Sequence, residues 1–339
     1  MNIELIRELT EAWGPSSQEG RVRELIQARI ANLVDEMRID RMGNLIALRR
    51  ATAKSAGAET PKKVMLSAHM DEIGLIITHV DEKGYCRFSH VGGLRTLTLV
   101  GNRVVFANGV TGTIQLEKGP RAATEAPGFE QLFIDVGAAD RKSVPVKVGD
   151  MGALQGVLAQ NGDRLIGKSM DDRIACVVAI EALAQLKQSP HDIYAVFSVQ
   201  EEVGLRGART AAYGVNPDIG IAIDVTLTGD FPEAPYMDVS LGKGTAIKVQ
   251  DSSVIADPRV RNLMVQRARE ARIPYQLEVL TAGGTDTAAI QMTREGVPSG
   301  CISVPCRYVH SISEMVDVHD VQASIDLLAA ILSRPINLE

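Results

Sequence analysis

Five places in the sequence gather side chains able to hold a metal ion or move a proton: His69 with Asp71, Asp171 with Asp172, Glu201 with Glu202, Asp224, and His310. Neutral imidazole is a common ligand of Zn²⁺, and a nearby carboxylate can hold its other ring nitrogen and fix the tautomer. Two imidazoles among several carboxylates suit Zn²⁺, Co²⁺ or Mn²⁺ better than Ca²⁺, which prefers an all-oxygen shell. One carboxylate bridging two ions ~3.5–4 Å apart would make a pair that polarises a carbonyl and brings a shared water's pKa near neutrality. A carboxylate outside the ligand set could then take the water's proton and pass it to a leaving amine. In Glu201-Glu202, adjacent strand-end side chains point in different directions, so one can bind metal while the other faces the water. A plainer reading stands beside this one: acids favour the positive N-terminus of a helix, which alone could account for either acidic doublet. The two histidines and Asp224 at equivalent positions favour a site.

The elements that must position these groups are visible as apolar runs. Residues 64–68, 193–199, 219–223 and 300–304 read as strands, and they lead to His69, to Glu201-Glu202, to Asp224 and, through residues 305–309, to His310. In open α/β sheets, sites lie outside the carboxyl ends of the strands, so residues distant in sequence can meet along one sheet edge. Helical spacing over 3–13, 18–33, 172–187, 208–213, 259–271, 285–294 and 321–332 alternates with strands, including 245–249 and 275–280. Ser17 is the expected N-cap of the second helix. Residues 34–48 read as a strand, a turn at 40–44 and a second strand, and 51–62 as an exposed loop.

Between 73 and 163 the texture changes to short β runs at 73–80, 85–91, 103–107, 111–116, 132–136 and 153–158, with Asn108-Gly109 as a hairpin signal and 118–130 as a loop. Several short strands without helical periods predict a small barrel or sandwich. The expectation is therefore a layered α/β domain with a mostly parallel central sheet, formed by 1–72 and 164–339. It is interrupted by an inserted small β-barrel domain over 73–163.

At 339 residues, 45% apolar and 23% charged, the chain can bury a substantial core in one large or two ordinary domains. The net charge of −6 is spread without a basic block, which argues against a nucleic-acid partner. No apolar run approaches the ~20 residues of a membrane span, and the N-terminus lacks a signal-peptide core. Cys86, Cys176, Cys301 and Cys306 form no CxxC pair and read as buried free thiols of a reducing cytoplasm. His79, His90, His191 and His319 read as surface residues. The turn at 281–286 leaves two readings open, in which Gly284 and Thr285 offer amides to a substrate backbone or Thr285 simply caps a helix.

These motifs together resemble the M42 metallo-aminopeptidases, the tetrahedral (TET) enzymes sometimes labelled endoglucanases. The residues that carry the resemblance are Ala68-His69-Met70-Asp71-Glu72-Ile73-Gly74, Met170-Asp171-Asp172-Arg173, Gln200-Glu201-Glu202-Val203-Gly204, Ile223-Asp224-Val225 and Arg307-Tyr308-Val309-His310-Ser311. Gly14-Pro15-Ser16, Asp40-Arg41-Met42-Gly43-Asn44, 133–138 and Gly283-Gly284-Thr285-Asp286 extend it over nearly the whole chain. The resemblance implies one metal held by His69, Asp171 and Asp224, and a second held by Asp171, Glu202 and His310. It makes Glu201 the general base, Asp71 the residue orienting His69, and the insertion a PDZ-like assembly domain. It further implies two divalent ions per subunit (Zn or Co, with Mn as an option), short peptide substrates, and a cytoplasmic homo-oligomer, commonly a dodecamer built from dimers. Ser17 and Thr287 depart from the family pattern, and neither is one of the implied ligands. Two other functions remain open to test: a metal-dependent deacylase of N-acyl amino acids or amino sugars, and a non-catalytic scaffold.

Overall fold

The computed structural model describes residues 1–53, 60–117 and 126–338. Four parallel strands lie side by side at its centre: Asp192–Ser198, Lys63–His69, Ile219–Thr226 and Ser299–Arg307, in that spatial order. Their carboxyl ends therefore share one edge. They belong to an 11-stranded mixed sheet. On one flank, Leu45–Arg49 and then Glu36–Ile39 add antiparallel. On the other, Glu314–Asp317 folds back against Ser299–Arg307 and carries the hairpin of Ala159–Asn161 and Arg164–Gly167. Thr245–Gln250 pairs antiparallel with Ser299–Arg307, and Tyr275–Val279 adds to it in parallel.

Successive strand residues point to opposite faces, and the buried side chains sort accordingly. Leu66, Phe197, Ile221 and Ile302 share one apolar cluster with helices Ile3–Glu11, Gly20–Ile30, Met170–Gln185, Pro258–Ala271 and Val318–Leu332. Met65 and Val196, one position away, share another with helices Arg206–Val215 and Asp286–Gln291. Each such side chain contributes about 1.5–3 kcal/mol when fully buried, so a one-residue slip of a central strand would forfeit both faces together. The result is a helix–sheet–helix sandwich, the mixed α/β class expected.

Six antiparallel strands between Gly74 and Leu154 close into a barrel: Gly74–Val80, Cys86–Val91, Leu132–Asp135, Thr111–Leu116, Arg103–Phe106 and Met151–Leu154. Leu75, Phe88, Val104, Ile114, Ile134 and Leu154 fill it. The Asn108-Gly109 hairpin joins Arg103–Phe106 to Thr111–Leu116. Trp13, just past the first helix, donates its indole N–H to the Val105 carbonyl at 2.9 Å and ties the barrel to the helical layer.

Several local expectations are corrected. Ser17 is not an N-cap: it has φ +72° and donates its N–H to Glu19 Oε1, and Glu19 occupies the cap position of Gly20–Ile30. The helix expected over 285–294 ends at Gln291, and Arg294 has a left-handed φ of +50° in the turn beyond. The last barrel strand is Met151–Leu154 rather than 153–158, and Ala159–Asn161 pairs within the large sheet. His79, His90 and His319 are exposed, whereas His191 is 1% exposed, its Nε2 meeting the Arg334 carbonyl at 3.0 Å. The loops expected at 51–62 and 118–130 fall partly outside the described residues, and residues 129–131 form a 3-10 turn. All four cysteines are buried and free. Among the described residues no helix is long and apolar enough to cross a membrane.

Candidate metal centre

The strand ends bring His69, Asp171, Glu201, Glu202, Asp224 and His310 to the wall of one cavity of about 490 Å³. Lys63–His69 ends at His69 itself, and Ile219–Thr226 carries Asp224 near its end. Glu201 and Glu202 sit in the loop after Asp192–Ser198 and before Arg206–Val215. Asn44 grips both ends of that loop, accepting the Val199 N–H and donating to the Gly207 carbonyl, each at 3.0 Å. Asp40 holds Asn44 in turn, taking its backbone N–H at 3.0 Å. Asp71 fastens the middle of the loop: its two oxygens accept the N–H groups of Glu201 and Glu202 at 3.0 and 3.2 Å, and Ser16 donates to it at 2.6 Å.

Asp171 stands at the head of Met170–Gln185, where its backbone and that of Asp172 are not helical and the peptide bond between them is cis. Arg173, one residue on, is fully buried and donates to the carbonyls of Leu9, Ala12 and Gly14, the first two at the C-terminal end of the first helix, where carbonyls lack helical partners. Asp171 Oδ1 lies 3.1 Å from His69 Nε2, and its Oδ2 lies 3.2 Å from His310 Nε2. Glu202 Oε1 is also 3.2 Å from His310 Nε2, and Glu201 Oε2 is 3.8 Å from His69 Nε2. Ligand atoms of His69, Asp171 and Glu202 lie within 4.8 Å of one another, as do those of His69, Glu201 and Asp224.

Both imidazoles spend Nδ1 on the backbone. His69 Nδ1 is 3.0 Å from the Asp71 carbonyl, with the Asp71 carboxylate further off at 3.4 Å, and His310 Nδ1 is 3.1 Å from the Gly93 carbonyl. A carbonyl only accepts, so the hydrogen-bond network assigns the proton to Nδ1. In the neutral rings a bare Nε2 lone pair then faces carboxylate oxygens. A cation between them relieves that contact. Burial pushes Glu201 and Asp224 well above the usual carboxylate range; His69 opposes the rise, while neighbouring acids add to it. So many buried acids cannot all ionise without positive charge among them. The donor set of imidazole nitrogen and carboxylate oxygen fits a divalent transition-metal ion.

Two contributors escaped the sequence reading. Glu314, buried at the start of its strand, accepts the His310 N–H at 2.7 Å and the Asp171 N–H at 3.0 Å, binding two site residues to one carboxylate. Its burial, with Asp171 nearby, pushes it up to about 8. The only available signal was its place four residues after His310. The second is the barrel turn at Gly92-Gly93. Gly92 has φ +77°, and a Cβ there would lie 3.0 Å from Glu202 Oε2. A Cβ on Gly93 would overlap the His310 ring. Gly93→Ala is expected to displace that ring and cut kcat at least tenfold with the melting temperature within a few degrees of wild type. Steady-state kinetics beside calorimetry checks this, and undiminished kcat would show that the turn does not position His310. Thr285 caps Asp286–Gln291, its Oγ1 accepting the Thr287 N–H at 3.3 Å, and both Gly284 and Thr285 line the cavity.

A layered α/β sheet with imidazoles and carboxylates converging at its carboxyl edge defines the class of metal-dependent hydrolases. Comparison with known proteins narrows this. The family model of M42 glutamyl aminopeptidase matches residues 43–327, and the chain belongs to that family of peptidases, hydrolases of the peptide bond that use divalent metal. It is 35% identical to the lysyl aminopeptidase of Pyrococcus furiosus, over 97% of this chain and 96% of that one. An aminopeptidase structure from Desulfurococcus kamchatkensis superposes with a TM-score of 0.92 at 39% identity, covering 98% of this chain and 94% of that one. The TET1 peptidase of Pyrococcus horikoshii, described as assembling into a tetrahedron or a large octahedral shell, superposes at 0.86 with 30% identity and 98% and 99% coverage.

Proposed function

We propose that this chain is a two-metal aminopeptidase releasing N-terminal residues from short peptides. The observation that carries the reading is the pair of Nδ1-anchored imidazoles whose Nε2 atoms face opposite oxygens of Asp171. His69, Asp171 and Asp224 would hold one ion, and Asp171, Glu202 and His310 the other, with Zn or Co, or else Mn, as the native metal. When bound, the ions polarise the scissile carbonyl and acidify the attacking water. Glu201 takes that water's proton on its carboxylate and returns it to the leaving nitrogen. Asp71 keeps Glu201 in place through the Glu201 N–H and seats His69 through its own carbonyl. Gly284 and Thr285 offer amides to the substrate backbone.

The strands between Gly74 and Leu154 form, in this reading, an assembly domain inserted in the catalytic one, and the chain builds a dodecamer from dimers in the cytoplasm. The shells described for the Pyrococcus horikoshii relative support that assembly. A panel of aminoacyl p-nitroanilides with free and acetylated amines, run after chelation and again with Zn²⁺, Co²⁺ or Mn²⁺ restored, tests the reaction. Free-amine substrates are expected to turn over only with metal. Release of acetate from the acetylated set, with no p-nitroaniline from the free-amine set, would replace the peptidase by a deacylase.

A further inference from the structure

The cavity wall has two chemically unlike parts. One part is formed by Val225, Leu227, Lys248 and Leu280. Lys248 is 1% exposed and already engaged, its ammonium paired with Glu278 and 3.4 Å from Asp251 Oδ2. This part of the wall is mainly aliphatic and, among the described residues, has no free cation to offer. In the other part, the barrel turn of Gly92-Gly93-Leu94 packs on Glu202 and His310 and delivers Arg95 to the cavity wall. Arg95 is exposed, and among the described residues no acid pairs with its guanidinium. Among the described residues it is the one unpaired lysine or arginine on a wall that otherwise carries Asp171, Glu201, Glu202 and Asp224.

The aliphatic part of the wall suits an apolar N-terminal side chain, and the rest of the peptide then runs along the exposed part beside Arg95. The substrate's ammonium is drawn to the acids and repelled by Arg95, and a carboxylate on the departing part is drawn the opposite way. We propose that Arg95 is a specificity residue that binds a carboxylate on the leaving portion of the peptide and so orients short substrates, amine toward the acids. The planar guanidinium suits a carboxylate in two-point contact. The inserted barrel thereby contributes to substrate choice. The proposal rests on the aminopeptidase reading above.

The test uses the metal-loaded full chain and one tripeptide, Leu-Gly-Gly, as free acid and as C-terminal amide, with Leu-Glu-Gly amide supplying a side-chain carboxylate instead. Wild type is expected to favour the acid over the amide about tenfold in kcat/KM, mainly through KM; charge-assisted contacts at an exposed site are of this order. Arg95→Ala and Arg95→Gln should each bring the ratio close to one, and Arg95→Lys should keep most of it. Because each ratio is taken within one variant, a general loss of activity cannot mimic the result. If the Leu-Glu-Gly amide is also favoured over Leu-Gly-Gly amide and Arg95→Ala removes that advantage, side-chain carboxylates are bound too. If only the C-terminal acid responds, the terminal carboxylate is the ligand. A wild-type ratio near one, or a ratio that Arg95→Ala leaves unchanged, overturns the proposal. Failure of metal-loaded wild type to cleave any of the three would instead remove the aminopeptidase reading, and this proposal with it.

Discussion

Glu201→Gln is expected to lower kcat by about 10³-fold, within the ~10²–10⁴ that general acid–base catalysis supplies, while the protein keeps its full complement of metal. The amide is nearly isosteric and cannot accept a proton. Nothing that holds the loop is lost, because Asp71 grips it through the backbone N–H groups of Glu201 and Glu202, not through their side chains. The carboxylate of Glu201 stands 3.8 Å from His69 Nε2, whereas Asp171 stands at 3.1 Å, so Glu201 is the more distant of these two acids from that nitrogen. Kinetics together with elemental analysis of the dialysed protein separates the roles. A near wild-type kcat would reject Glu201 as the base, and loss of metal in step with kcat would make it a ligand.

How much of this was legible beforehand depends on whether the signal is local. His69, Asp224 and the Glu201-Glu202 doublet lie at or just past the ends of apolar runs, and a strand that stops at a charged residue announces itself in the sequence. The parallel order of the four strands then follows from helix–strand alternation. Glu314 could not be found this way. Its two acceptor contacts join an N–H four residues away to one 143 residues away, and only the fold-back of Glu314–Asp317 beside Ser299–Arg307 creates them. The same holds for Gly93 and His310, 217 residues apart and joined because the barrel is seated on the sheet edge.

Short edge elements were missed for a different reason. Arg164–Gly167 and Glu314–Asp317 are four residues each, too short to show a period against their neighbours. His191 was misplaced because a turn after proline reads as surface. Its neighbour Ser189 is tied to the Leu332 carbonyl of the last helix, and that contact buries the turn. Asn44 falls between these cases. The turn it closes is plain from Asp40 and Gly43, but its grip on Val199 and Gly207 is tertiary.

The sharpest consequence of the geometry concerns Asp171. Its two oxygens face two imidazoles, so Asp171→Asn should weaken both metal sites together, whereas Asp224→Asn should weaken one. Metal content after dialysis is expected to fall from about two ions per chain to well below one for Asp171→Asn, and to about one for Asp224→Asn, with kcat down at least 10³-fold in the first. The metal-free protein should also lose stability, as a buried ion pair broken on one side does. There burial alone would raise the Asp171 carboxyl, but hydrogen bonds from His310 and His69 outweigh it and hold the group well below the usual carboxylate range. Asp171→Asn leaves both imidazoles without their anionic partner, so the apo melting temperature should fall. In wild type, added Zn²⁺ at a hundredfold excess over its dissociation constant should stabilise by about 2.7 kcal/mol per site. Asp171→Asn should lose most of that increment. Calorimetry with and without metal reads both quantities, and a variant that binds two ions and gains as much from them as wild type would take Asp171 out of the centre.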